Sequence, residues 1–146
     1  MIKEDILLKQ ALIEMEMKKP DLKKAFELLK QSAAQNNYEA LYAIGTWYLH
    51  GKFVKKNASL AVEYFLRSGE GNNSSAYYDL AVCYETGKGI KANKRQAFLN
   101  YLSAALIGDK QSIYEVGRCY YYGIGTNKNA ELSERWLNAA KYWDVK

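Results

Sequence analysis

Apolar and small residues recur along this chain at intervals of three and four, in blocks separated by short polar loops that contain glycine. In the block at 38–50 the stripe is Ala40, Leu41, Ile44, Gly45 and Tyr48. At 74–86 it is Ala76, Tyr77, Leu80, Ala81 and Tyr84, and at 110–122 it is Ser112, Ile113, Val116, Gly117 and Tyr120. That spacing predicts helices buried along one face. A second set of helices is predicted to begin at Asn57, Asn93 and Asn129, each an N-cap, with Asp21 in the same role earlier. Their inward positions are Ala61, Tyr64, Phe65 and Ser68, then Ala97, Tyr101, Ala104 and Ala105, then Leu132, Trp136, Leu137, Ala139 and Ala140. Ala25, Phe26, Leu28, Leu29 and Ala33 read as an earlier second helix, partnered by residues 3–17 with Leu8, Ala11, Leu12 and Met15 facing in. Gly51, Gly87 and Gly123 end the first helices as left-handed caps. Mid-helix glycine costs about 1 kcal/mol relative to alanine, so Gly45 and Gly117 imply a neighbouring helix too close for a larger side chain.

The blocks repeat every 36 residues, as Asn57, Asn93 and Asn129 or Tyr48, Tyr84 and Tyr120 show. A period of that size marks a stacked array in which no pair buries its apolar face alone. The expected layout is one repeat domain over 1–146, with a degenerate pair at 3–36 and repeats at about 38–72, 74–108 and 110–141. First helices are expected to line its concave side.

Composition changes this picture little. An apolar fraction of 49% with 25% charged residues fits a folded chain and argues against disorder. The net charge of +5 is modest and by itself weak support for nucleic acid. Thirteen tyrosines suit helix surfaces half packed and half wet. Cys83 and Cys119 sit one repeat apart, roughly 10 Å in a stack, beyond disulfide reach, and are expected as reduced thiols. With His50 the only histidine, no metal site and no cofactor are expected. The opening MIKEDILLKQALIEM does not read as a signal peptide, and no stretch is long enough to cross a bilayer. A cytoplasmic location is the resulting expectation, for a chain from which no leader has been removed.

The recurring A-x-Y-x-[L/I]-G-x-x-Y-x-x-G resembles the Sel1-like repeat family. ALYAIGTWYLHG at 40–51 carries it best, and SIYEVGRCYYYGIG at 112–125 nearly matches. AYYDLAVCYETGKG at 76–89 places Ala81 at the mid-helix glycine, and Phe53 stands where other copies have Gly89 and Gly125. The resemblance covers roughly residues 21–141 and implies an all-α, right-handed α/α superhelical repeat solenoid of about four helix pairs. Such arrays are similar to tetratricopeptide proteins and usually act as adaptors; bacterial members include host-contact, cell-envelope and immunity proteins. Cysteine-rich secreted relatives bind penicillin. Their paired cysteines would correspond here to Ala33 with Ala40, Gly69 with Ala76, and Ala105 with Ser112, so this chain does not resemble that subgroup.

Three surfaces are candidate sites. Opposite the buried stripes lie Tyr42, Tyr78 and Tyr114, one per repeat, which either brace neighbouring helices or contact a partner. Asp79, Glu115, Arg118 and Tyr122 vary between repeats and are candidates for specificity, or simply a solvated face. Lys52, Lys55, Lys56, Lys88, Lys91, Lys94, Arg95 and Lys128 in the loops would form a secondary basic edge for an acidic polymer, or solvated loop charge. Tyr142 and Trp143, in the terminal KYWDVK, would fold back as a minimal cap or else offer an interface for a partner or a second copy.

Catalysis is the weaker reading. His50 has no partner constellation, the cysteines look like packing residues, and Asp79 with Glu115 form an acid–base pair only if geometry allows. The expectation is a non-enzymatic adaptor or scaffold that binds another protein or peptide, a toxin in an immunity role or an envelope factor being concrete versions. The competing reading is an enzyme acting on a cell-wall-like small molecule, or weak acidic-polymer binding through the loops.

Overall fold

The computed structural model describes residues 3–143. Of the single domain expected over 1–146, residues 1–2 and the terminal Asp144, Val145 and Lys146 lie outside the described residues. Among the described residues every regular element is helical: α1 (Lys3–Glu16), α2 (Leu22–Ala34), α3 (Tyr38–His50), α4 (Ala58–Gly69), α5 (Ser74–Thr86), α6 (Lys94–Ile107), α7 (Lys110–Tyr122) and α8 (Ala130–Tyr142). The fold is an all-α array of helix pairs. It falls into two compact units, Met1–Gly71 with α1 to α4 and Asn72–Lys146 with α5 to α8. Within each unit two helical hairpins pack together, α2 against α3 and α6 against α7.

Local chemistry sets the helix ends. Asn57, Asn93 and Asn129 are all extended, and each side chain accepts a hydrogen bond from the N–H three residues on, at 3.0 Å. Asp21, Asn37, Asn73 and Asp109 do the same for α2, α3, α5 and α7. Each cap satisfies one of the amides that a helix start leaves without a partner. Gly51, Gly87 and Gly123 close the first helices at φ of 71°, 75° and 73°, where a Cβ would strain the backbone. The loop that follows is pinned the same way each time: the N–H of the asparagine cap donates to the carbonyl of Tyr48, Tyr84 or Tyr120.

In the first unit the core gathers Leu8, Ala11, Ala25, Phe26, Leu29, Ala33, Leu41, Ile44 and Trp47. In the second it gathers Ala81, Ala97, Phe98, Tyr101, Val116 and Cys119. Fully burying a side chain such as Leu29 or Ile44 contributes roughly 1.5–3 kcal/mol. The small residues at mid-helix have a steric cause. A Cβ on Gly45 would lie 2.6 Å from the buried Phe65 ring, and one on Gly117 2.8 Å from Leu137. Ser133, where earlier repeats carry Ala61 and Ala97, donates to the Gly117 carbonyl at 2.9 Å, so its hydroxyl ties α8 to α7.

Two positions depart from the expected pattern. Leu12 is 40% exposed; the buried stripe of α1 runs through Leu7, Leu8 and Ala11, and one further residue turns the helix past the core. Phe53 takes the left-handed conformation of Gly89 and Gly125, with φ of 63°. Its ring packs 5.7 Å from Phe26 and 6.4 Å from Trp47, contacts that offset a conformation unfavourable to a side chain.

Candidate functional site

On α5 and α7 of the second unit, the positions beside the buried stripe carry Tyr78, Asp79, Tyr114, Glu115 and Arg118, all half-buried. Arg118 organises them. Its Nη2 and Nη1 donate to the two carboxylate oxygens of Glu85, at 2.7 and 3.1 Å, and its Nε donates to Glu115 at 2.6 Å. The Tyr101 hydroxyl, from α6, donates to the same Glu85 at 2.9 Å, and Gln111 reaches Glu115 at 3.4 Å. Three helices therefore meet in one polar network. Hydrogen bonds from Arg118 hold the Glu85 carboxyl below its ordinary range, with the Tyr101 hydroxyl adding to the effect against burial. The same bonds to Glu85 and Glu115 raise Arg118, and burial followed by the Glu85 charge raises the Tyr101 phenol.

Arg118 and Glu115, candidates for specificity or a solvated face, are thus tied to each other and to Glu85 within the second unit. Glu85 and Tyr101 complete the network, and neither was a candidate site residue. A signal for both lay in the repeat register. Glu85 stands where another copy has the buried Leu49, and Tyr101 where another has the buried Phe65. These departures mark the two residues, but not that they pair with each other or that Glu85 pairs with Arg118.

Two of the three aligned tyrosines pack within their own hairpins. Tyr42 packs 5.6 Å from Phe65 in the first unit, and Tyr78 packs edge-on 5.8 Å from Tyr101 in the second. Burial, then Glu115 and Asp79, raises the Tyr78 phenol. Both rings brace their own hairpin while staying partly open. Tyr114 lies on the α7 face, half-buried, and Tyr122 stands 62% exposed at its end against Tyr121.

Lys55, Lys56, Lys88, Lys91 and Lys128 are exposed loop cations, whereas Lys94 and Arg95, expected in the same loops, open α6 because Asn93 caps it there, with Lys94 exposed. Lys52 and Arg95 have internal contacts: Lys52 stands 4.9 Å over the Trp47 ring, and Arg95 donates to the Gly125 carbonyl at 3.2 Å. Tyr142 does not fold back; it is 81% exposed. The Trp143 N–H donates to the carbonyls that end α8, and Lys110 stands 4.6 Å over its ring. His50 is exposed in the last turn of α3. Cys83 and Cys119 are buried free thiols. Burial raises both, Cys119 to about 11, so neither is poised as a nucleophile. Among the described residues no group of three metal-ligating side chains stands together, and no helix is long and apolar enough to cross a membrane.

A family model for the Sel1 repeat matches the chain over residues 16–37, 39–73, 74–109 and 110–141. Among solved structures, the chain is similar to a protective antigen present in uropathogenic Escherichia coli strains that displays an SLR fold. The TM-score is 0.93 at 22% identity, covering 97% of this chain and 31% of that one. A Sel1 repeat protein from Oxalobacter formigenes gives 0.89 at 23% identity, covering 97% of this chain and 58% of that one. Helicobacter pylori cysteine rich protein B gives 0.67 at 23% identity, covering 75% and 82%. At these identities the likeness is one of fold, and the chain spans less than two thirds of the length of the first two. No curated protein matches the chain.

Proposed function

The chain belongs to the Sel1 repeat family, and on that premise we propose that it is a cytoplasmic adaptor that captures a partner protein on the α5–α7 face of its second unit. Repeats of this kind typically serve protein–protein interaction, which is the coarse role. One observation carries the finer reading: Arg118 is clamped between Glu85 and Glu115, which fixes the α7 face that bears Tyr114 and Tyr122. A surface held rigid before contact loses less entropy on binding, and tyrosine supplies contact area at low rotamer cost. The residues there also change from repeat to repeat on a constant frame. Asp79 and Glu115 match Ala43, and Arg118 matches Thr46 and Val82.

The C-terminal edge is a poorer candidate for self-association. Phe26, Val62 and Phe98 are buried at one register position of the second helices, where α8 carries the exposed Glu134; the exposed Lys141 stands where Ala33, Gly69 and Ala105 are buried. Glu134 and Lys141 thus make this face of α8 less apolar than the same face of the earlier second helices.

The test is affinity capture from source-cell lysate, run side by side with a variant carrying Tyr78→Ser, Asp79→Asn, Glu115→Gln and Tyr122→Ser. A stoichiometric partner held by the parent and lost by the variant, at equal helicity, supports the reading. If that partner is toxic when expressed alone, the finer role is immunity. Equal capture by both rejects this face and turns attention to the loop lysines, whose binding would weaken with salt.

A further inference from the structure

In the first unit, α2 and α4 frame a cavity of about 250 Å³ lined by Lys30, Ala33, Ala34, Ile44, Tyr64 and Arg67. Ile44 and Ala33 of the core lie at its base, beneath the more exposed Lys30, Ala34, Tyr64 and Arg67. A chain of rings runs beside it. Tyr64 stacks on Tyr48 at 5.8 Å with planes 10° apart, and Tyr48 meets the Phe26 ring edge-on at 6.1 Å. A cation stands over each end of that chain: the Arg67 guanidinium 5.6 Å from the Tyr64 centroid, and the Lys30 ammonium 5.6 Å from the Phe26 centroid.

The repeat framework needs neither cation. Where this unit has Lys30, the later second helices carry Leu66, Leu102 and Asn138; where it has Arg67, they carry Ser103 and Ala139. Tyr64 likewise answers to Asn100 and Trp136. Arg67 lies in the last turn of α4, where a cation also offsets the partial charge of the helix end. That role accounts for one cation and leaves Lys30 and the cavity unexplained. The nearest carboxylate to Lys30 is Glu27 at 3.7 Å, an exposed pair that contributes little and leaves the ammonium free to turn. A guanidinium over a ring keeps its in-plane N–H donors for an acceptor at its edge.

We infer that this cavity binds a small organic anion, its carboxylate or phosphate oxygens held by Lys30 and Arg67 and its apolar part laid against Ala34 and Tyr64. The volume lies a little below that of most ligand sites, about 300 Å³ and upward, which limits the ligand to a group the size of a single ring with its acid. This site is separate from the α5–α7 face, and its fate does not depend on the adaptor reading.

The experiment titrates the isotope-labelled full chain with phenyl phosphate, benzoate, inorganic phosphate and phenol, following amide shifts at low salt. Saturable shifts centred on Lys30, Ala34, Ile44 and Arg67 are expected for phenyl phosphate or benzoate, with weaker binding of inorganic phosphate and none of phenol. The tighter of the two ring acids identifies the oxyanion. Lys30→Leu and Arg67→Ser, residues the repeat itself uses at these positions, should each weaken binding about tenfold while the thermal midpoint holds. Should either variant lose its thermal transition, Lys30→Gln and Arg67→Gln read the same loss. Unchanged affinity in folded variants overturns the inference. So do shifts that instead follow Lys52, Lys55 and Lys56, or no saturable binding of any anion.

Discussion

Gly117 shows how one residue carries the spacing between two helices. Alanine there gains about 1 kcal/mol of helix propensity, but its Cβ would meet Leu137 Cγ and Cδ2 at 2.8 Å and the Leu137 backbone nitrogen at 3.1 Å. Overpacking of this kind costs roughly 1–3 kcal/mol, so Gly117→Ala is expected to destabilise the chain by about 1 kcal/mol net. Urea denaturation measures it, and a stabilised variant would show that α8 is free to move away. Phe53 poses the opposite balance. Replacing it with glycine relieves about 1 kcal/mol of left-handed strain and removes two ring contacts worth roughly 0.5–1.5 kcal/mol each. The expected result for Phe53→Gly is a loss of about 1 kcal/mol; a gain would mean that strain outweighs the Phe26 and Trp47 contacts. The small residues at 45 and 117 were legible in the sequence, because a mid-helix glycine is costly enough to need a steric cause. The geometry of Phe53 was not, since its departure from the repeat said nothing of the rings it would meet.

At the scale of elements, the Glu85–Arg118–Glu115 network joins α5 to α7 and, through Tyr101, to α6. The Glu85 carboxyl is depressed in the folded chain, chiefly by the Arg118 hydrogen bonds. A depressed value means that the stabilisation is present above the ordinary carboxylate range and is lost as pH falls through the folded value. Glu85→Gln should therefore cost roughly 1–2 kcal/mol at neutral pH. Its deficit against the parent should shrink below about pH 4. Denaturant curves at both pH values decide it: a deficit that persists in acid would assign the loss to packing. Helix bounds were readable in advance because caps are local chemistry, and α3, α5 and α7 span the stretches their stripes predicted. The network was not, because Glu85 and Arg118 lie 33 residues apart and meet only once two helices are side by side.

For the whole molecule, repeat register separates framework from surface. Glu134, Asn138 and Lys141 stand where the preceding repeat has Phe98, Leu102 and Ala105. Restoring those residues together, as Glu134→Phe, Asn138→Leu and Lys141→Ala, should turn the outer face of α8 apolar and drive concentration-dependent self-association. Light scattering after size-exclusion chromatography tests it, and an unchanged mass would mean that the face is protected some other way. The 36-residue period by itself determined the paired helices, their caps and the small residues at their crossings, because each is set by contacts that recur within a hairpin. Which α1 leucine faces in, where Tyr142 points, and which residues join Arg118 were decided only by the tertiary structure. Those outcomes depend on side-chain length and on the angle between helices that a periodic pattern leaves open. The cations flanking Ile44 belong to the same class: Lys30 and Arg67 are far apart in the chain, and only the packing of α2 and α4 over α3 brings them to one cavity.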